Sequence, residues 1–190
     1  MTLQIQLIRH GRSALPFPAR WITPAEFREW IALYNRTGIA DESTPPAELV
    51  ATVGDVAMVV CSDFPRSIES AARLVPNRQP RISPTFREVG RPLQGNWKLR
   101  LPLAVWDRFS VVLWNRNLVS GDESIHAARR RAQEATRELV SLAEESSRAL
   151  FVGHGMINAM IGRELCRQGW QGPRRVDAAH WGISTFRKDS

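Results

Sequence analysis

Apolar and polar residues alternate along Leu3-Gln4-Ile5-Gln6-Leu7, and Ile8 then runs into Arg9-His10-Gly11, a pattern that predicts a first strand ending in a tight turn. Thr23-Pro24-Ala25-Glu26 carries a capping box with proline at the first helical position. Phe27, Trp30, Ile31 and Tyr34 follow at helical spacing, and Gly38 is placed to stop that helix. Residues 39–47 are polar and contain proline, so a loop is expected, with a short helical stretch over 48–53. Ala57-Met58-Val59-Val60-Cys61 is a continuous apolar run of strand length, suited to a strand covered on both faces. Ser62-Asp63-Phe64-Pro65 starts a helix with Arg66 in its first turn and Ile68, Ala71, Ala72 and Val75 along one face. Residues 81–86 are a candidate short strand. Ile125, Ala128, Ala132, Ala135, Leu139 and Leu142 recur by threes and fours, which predicts a long amphipathic helix. Ala149-Leu150-Phe151-Val152-Gly153 is a third apolar strand, ending at His154-Gly155. A helix over 156–168 stopped by Gly169, and a closing strand over 180–187, complete the pattern.

Strands alternating with helices imply an α/β fold, a three-layer α/β/α sandwich with a largely parallel central sheet. In such a sheet the carboxyl ends of the strands share one edge, where ligands bind. Arg9-His10, the turn from Ser62 to Arg66, and His154 would therefore meet. Arginine forks match the oxygens of a phosphoryl group. An imidazole with a pKa of about 6.5 is largely neutral, and so nucleophilic, near pH 7. Gly11 would let the backbone turn closely and offer a carbonyl to the imidazole Nδ1, leaving Nε2 to attack. Plainer roles exist for each residue. His10 could make one backbone hydrogen bond at a strand end, His154 could be a core histidine, and Arg66 an exposed first-turn residue. A cation at a helix N-terminus opposes the macrodipole, however, and an anion between the two would explain Arg66.

These segments resemble the motifs of the histidine phosphatase superfamily, also called the phosphoglycerate mutase-like family. Leu7-Ile8-Arg9-His10-Gly11 is similar to its signature, and the stretch from Cys61 to Ala71 to its second motif, a Ser-Asp pair before an arginine at a helix start. Phe86-Arg87-Glu88 resembles the segment supplying the family's acid, Gly121-Asp122-Glu123-Ser124 echoes a Gly-Glu-Ser element, and Val152-Gly153-His154-Gly155 is similar to the late His-Gly motif. The likeness spans about residues 3–160 with motif order preserved. It implies a phosphatase that hydrolyses a phosphate monoester through a phosphohistidine on His10, or alternatively a phosphoglycerate mutase-type phosphotransferase. It implies that Arg9, Arg66 and His154 hold the phosphoryl oxygens, that Glu88 serves as general acid and then base, and that neither metal nor cofactor is required. Arg12 stands where the family has an acidic or amide residue and Pro16 where it has Asn, so Ser13 is carried as a further phosphate ligand. Glu88 could instead be a loop carboxylate paired with Arg87 or Arg91.

Composition narrows the rest. With 43% hydrophobic and 24% charged residues over 190 positions, the chain is expected to be one globular domain, 1–190, rather than disordered. The longest mostly apolar stretch, around Trp106 to Trp114, is broken by Asp107 and Arg108 and is too short to span a membrane. No signal peptide is visible and two cysteines cannot form a disulfide framework, so a cytoplasmic location is expected. Net charge is +7, nearly all from arginine. That favours an anionic small-molecule partner, a phosphate ester; a basic nucleic-acid binder, or a phospho-ligand binder without turnover, is the rival. Residues 90–121 carry Arg91, Lys98, Arg100, Arg108 and Arg116 together with Trp97, Trp106 and Trp114. Three readings of this insertion stand level: a substrate-selecting lid, a buried helix with surface arginines, or a subunit contact through Val111-Val112-Leu113-Trp114 in a homodimer. His126 is expected to be structural or exposed and Arg129-Arg130-Arg131 to form a solvated helix face, whereas His180 is given no role.

Overall fold

The computed structural model describes residues 2–90, 93, 98–116, 118 and 123–189. Among the described residues, five strands form one mixed sheet: β1 Thr2–Arg9, β2 Met58–Cys61, β3 Arg81–Ile82, β4 Arg148–Gly153 and β5 Ile183–Asp189, in the order β3-β2-β4-β1-β5. The first four in that order run parallel, and β5 closes the edge antiparallel to β1. The α-helices among the described residues are α1 Pro24–Arg36, α2 Ala47–Val53, α3 Pro65–Leu74, α4 Leu103–Asn115, α5 Ile125–Ser146 and α6 Gly155–Arg167.

Strand β2 and the inner part of β4 are apolar because both sheet faces are covered, whereas β1 keeps the polar Gln4 and Gln6. Ile5, Leu7, Val60, Ala149 and Phe151 pack with α5 and α6. Their neighbours Ile8, Val59, Cys61, Leu150 and Val152 pack with α2 and α3 on the other side. Successive strand residues point to opposite faces, so this split is the two-residue period of the strand made visible. The result is the three-layer sandwich. A third cluster, Ile22, Phe27, Leu93, Leu103 and Trp106, joins α1 to α4 beside it.

Helix starts follow their capping chemistry. Thr23 accepts the Glu26 N–H while the Glu26 carboxylate accepts the Thr23 N–H, closing the capping box of α1. Ser124 accepts the Ala127 N–H at the start of α5, whose inward face buries the six residues of the apolar stripe.

Two boundaries depart from the sequence expectation. Over 81–86 only Arg81 and Ile82 pair as a strand. Ser83 then caps a single 3-10 turn, Pro84–Phe86, whose proline has no N–H for a ladder. The closing strand starts at Ile183 rather than at His180, because the chain first makes a turn in which Trp181 has φ 62°. In the 90–121 segment, α4 buries Trp106 and Trp114, whose indole N–H groups donate to the carbonyls of Ile22 and Glu123. Arg108 on this helix and Arg116 just after it are exposed. Arg91, Trp97, Gly121 and Asp122 lie outside the described residues. Among the described residues no helix is long and apolar enough to cross a membrane.

Candidate active site

Parallel pairing places Arg9 opposite Gly153 and Cys61 opposite Val152, so the residues that follow β1, β2 and β4 emerge at one edge. The His10 N–H donates to the Gly153 carbonyl, extending that ladder by one rung. The His10 and His154 rings consequently lie edge to face with centroids 5.1 Å apart. Ser62, the first residue after β2, is hydrogen-bonded through Oγ to His154 Nε2 at 2.6 Å.

Helix α3 is fastened to this edge by two buried serines. Ser67 donates to the Val152 carbonyl and accepts the Ser62 N–H. Ser70 accepts the Gly11 N–H and donates to the Arg66 carbonyl. These bonds fix the first turn of α3 against β1 and β4, and they bring Arg66, itself fully buried, to His10. Both serines belong to the second motif, but only the three-dimensional arrangement reveals what they hold.

The tautomer of His10 follows from its partners. Nδ1 lies 2.7 Å from the Gly11 carbonyl, which can only accept, so Nδ1 carries the proton. Nε2 receives the Arg66 Nε–H at 3.3 Å, so it presents a lone pair. Burial holds the imidazole pKa well below 6.5, and the charges of Arg66, Arg9 and His180 add to this. A buried, neutral imidazole with its lone pair on Nε2 has the chemistry a nucleophile needs. The Gly11 carbonyl can reach Nδ1 because residue 11 has no side chain: a Cβ there would lie 2.6 Å from the Trp181 ring and 2.7 Å from Ser43 Oγ.

Arg9 and Glu88 flank the start of α6. A Cβ on Gly155 would be 3.9 Å from Arg9 Nε and 4.0 Å from Glu88 Oε2. The Arg9 guanidinium donates to the Ala178 carbonyl. Glu88 accepts the N–H groups of Met156 and Ile157 at the N-terminus of α6, an electrostatically favourable place for a carboxylate. Of the alternative partners for Glu88, Arg91 lies outside the described residues, and Arg87 makes a two-pronged ion pair with Asp63. That pair, Glu88 and Arg66 all line a cleft of about 1170 Å³ between α1, the start of α3 and the 84–90 segment.

Ser13 stands apart. Its hydroxyl accepts the Leu15 N–H and its backbone bridges Ile39, and no contact among the described residues joins it to His10, Arg66 or His154. Arg12 likewise turns outward to Glu42. The structure thus gathers Arg9, His10, Arg66, Glu88 and His154 and leaves Ser13 out, since the turn after Gly11 uses that hydroxyl to satisfy its own backbone.

Two residues near this site were not singled out by sequence. His180 donates from Nδ1 to the His10 carbonyl, with ring centroids 5.4 Å apart. Its position before the last strand gave no hint, since only the pairing of β5 with β1 carries it there. Arg131, expected on a solvated face, is instead half-buried at the cleft. It forms a two-pronged pair with Glu123 and donates to the carbonyls of Thr85 and Arg87, tying α5 to the segment that carries Glu88. Arg129 and Arg130 are exposed as expected, and so is His126. Cys61 is buried, its thiol pushed up to about 12 by burial with a smaller push from Asp63.

The histidine phosphatase superfamily (branch 1) model matches residues 5–190, and the chain belongs to that family. Comparison with curated protein sequences finds no match. Solved structures share the fold. The product of the open reading frame Rv3214 of Mycobacterium tuberculosis is 19% identical with a TM-score of 0.61, over 96% of this chain and 90% of that one. A mycobacterial glucosyl-3-phosphoglycerate phosphatase is 16% identical with a TM-score of 0.62, over 98% and 91%. A variant of the phosphoserine phosphatase of Entamoeba histolytica, in complex with phosphoserine, is 13% identical with a TM-score of 0.56, over 96% and 89%.

Proposed function

We propose that this protein is a phosphatase that hydrolyses a small-molecule phosphate monoester through a phosphohistidine on His10. The observation that carries the reading is the double anchoring of the imidazole, Nδ1–H on the Gly11 carbonyl and Nε2 facing the Arg66 guanidinium. Nε2 attacks phosphorus as the ester P–O bond breaks, and Glu88 gives a proton to the departing alkoxide oxygen. Arg9, Arg66 and His154 hold the three equatorial oxygens, where negative charge builds in the transition state. Glu88, now a carboxylate, takes a proton from water as that water attacks phosphorus. The P–N bond breaks, orthophosphate leaves, and neutral His10 is restored. The scheme draws its positive charge from arginine, so it calls on no metal.

Two of the structural relatives are named as phosphatases of small molecules, which agrees with a metabolite-sized ester as substrate. The test is a panel of phosphate esters assayed for orthophosphate release by wild type and His10→Ala. Release lost in the variant supports the scheme. Isomerisation of phosphoglycerate without release assigns the same intermediate to a mutase. Release undiminished in the variant rejects His10 as the nucleophile.

A further inference from the structure

A fully buried guanidinium is costly unless its N–H groups are met, and Arg66 is set at the N-terminal end of α3, where the helix dipole opposes a cation. Its compensation comes from a different element. Helix α1 ends at Arg36, and the Tyr34 carbonyl in its last turn takes only a long 3.4 Å bond from the Thr37 N–H at the cap, which leaves it able to accept a second donor. Arg66 Nη1 donates to that carbonyl at 2.9 Å, and Nη2 lies 3.3 Å from Asn35 Oδ1. The cation therefore faces the negative end of one helix while it stands at the positive end of another.

The Tyr34 side chain takes part as well. Arg66 Cζ lies 4.2 Å from the centre of the Tyr34 ring, within the range of a cation–π contact. Behind that ring the stack continues outward. Trp30, one helical turn earlier, is parallel to Tyr34 at 5.0 Å, and Phe17 stacks on Trp30 at 5.6 Å. The Trp30 indole N–H donates to the Pro16 carbonyl, which ties the column to the loop after Gly11. Phe17, Trp30 and Tyr34 form a continuous aromatic strut from the surface to the guanidinium.

We propose that Tyr34 is a positioning residue of the phosphoryl site: its ring face and its carbonyl, at the end of α1, hold Arg66 against His10. The inference rests on the reading that Arg66 binds the phosphoryl group. It adds that phosphate affinity depends on an aromatic ring at position 34. The Tyr34 ring also stands edge-on to the His10 ring, with centroids 6.4 Å apart, and the role proposed for it runs through the guanidinium.

The experiment measures inorganic phosphate binding by calorimetry for wild type, Tyr34→Leu and Tyr34→Phe, each alone and combined with Arg66→Ala. Loss of a buried cation–π contact is expected to weaken phosphate binding by roughly 2- to 30-fold in Tyr34→Leu. Tyr34→Phe keeps the ring and is expected to restore most of that affinity. In the Arg66→Ala background Tyr34→Leu is expected to have no further effect, because the group through which it acts is gone. Equal losses with and without Arg66, or a Tyr34→Leu protein that binds phosphate like wild type, overturn the inference while leaving the phosphatase reading intact. Undiminished phosphate binding in Arg66→Ala alone would overturn both. Should Tyr34→Leu not fold, Tyr34→Met puts the same question.

Discussion

Arg66 Nε donates to His10 Nε2 across 3.3 Å, so one guanidinium covers the lone pair of the imidazole, and in the proposed reaction the same group holds the phosphoryl oxygens. In the proposed reaction substrate parts this pair by placing phosphorus between them, and the freed Nε–H takes a phosphoryl oxygen as its new acceptor. A lysine cannot substitute. It is a point charge without a planar fork and cannot reach Nε2, the Tyr34 carbonyl and Asn35 Oδ1 together. Arg66→Lys and Arg66→Ala are both expected to lose roughly 10²–10³ in kcat/KM. Steady-state kinetics on an aryl phosphate checks this, and full activity in Arg66→Lys would remove the fork from the account.

Glu88 has a different signature, because its contribution depends on what leaves. An alkoxide needs a proton in the transition state, whereas a nitrophenolate scarcely does. Glu88→Gln keeps an oxygen to accept the Met156 or Ile157 N–H, so the start of α6 is expected to hold. Phosphorylation by alkyl esters is then expected to slow by roughly 10²–10⁴, and by p-nitrophenyl phosphate much less. Pre-steady-state comparison of the two ester types measures the difference. Equal losses would assign Glu88 a structural role at the helix terminus.

The buried imidazole also makes stability depend on pH. The His10 pKa lies well below 6.5 in the folded protein, first because of burial and then because of Arg66. Below 6.5 the unfolded chain takes up a proton that the folded one refuses, so unfolding is favoured increasingly as pH falls toward the folded value. His10 therefore adds stability that is complete above 6.5 and is lost on acidification. His180, shifted in the same direction by burial and then by Arg9, acts likewise. The Tm of His10→Ala is expected to fall less steeply between neutral and mildly acidic pH than that of wild type. Parallel curves would show that His10 is not held neutral.

Much of this arrangement was legible before any coordinates, and the reasons are local. The apolar runs at 57–61 and 149–153 could only be buried strands, and the capping box at Thr23 announced α1. Once parallel strands were inferred, the shared edge brought His10, Arg66 and His154 together with no further information. Contacts made by long-range pairing were not legible. His180 reaches His10 only because β5 runs antiparallel to β1, and Arg131 is drawn from solvent by the Thr85 and Arg87 carbonyls, which no periodicity reports. The local bonding of Ser13 was not legible either, for a related reason. Its place in the motif suggested a ligand, but a turn must satisfy its own backbone, and the nearest hydroxyl does so.

The proposed intermediate itself offers the most direct measurement. Wild-type protein mixed with an excess of a phosphate ester is quenched in alkali during turnover, since a phosphoramidate survives base and is lost in acid. Mass spectrometry of the peptides then locates the label. The account expects one added phosphoryl group on His10, sensitive to acid and absent from His10→Ala. Turnover with His10 unmodified throughout, or the phosphoryl group found on another residue, would contradict it.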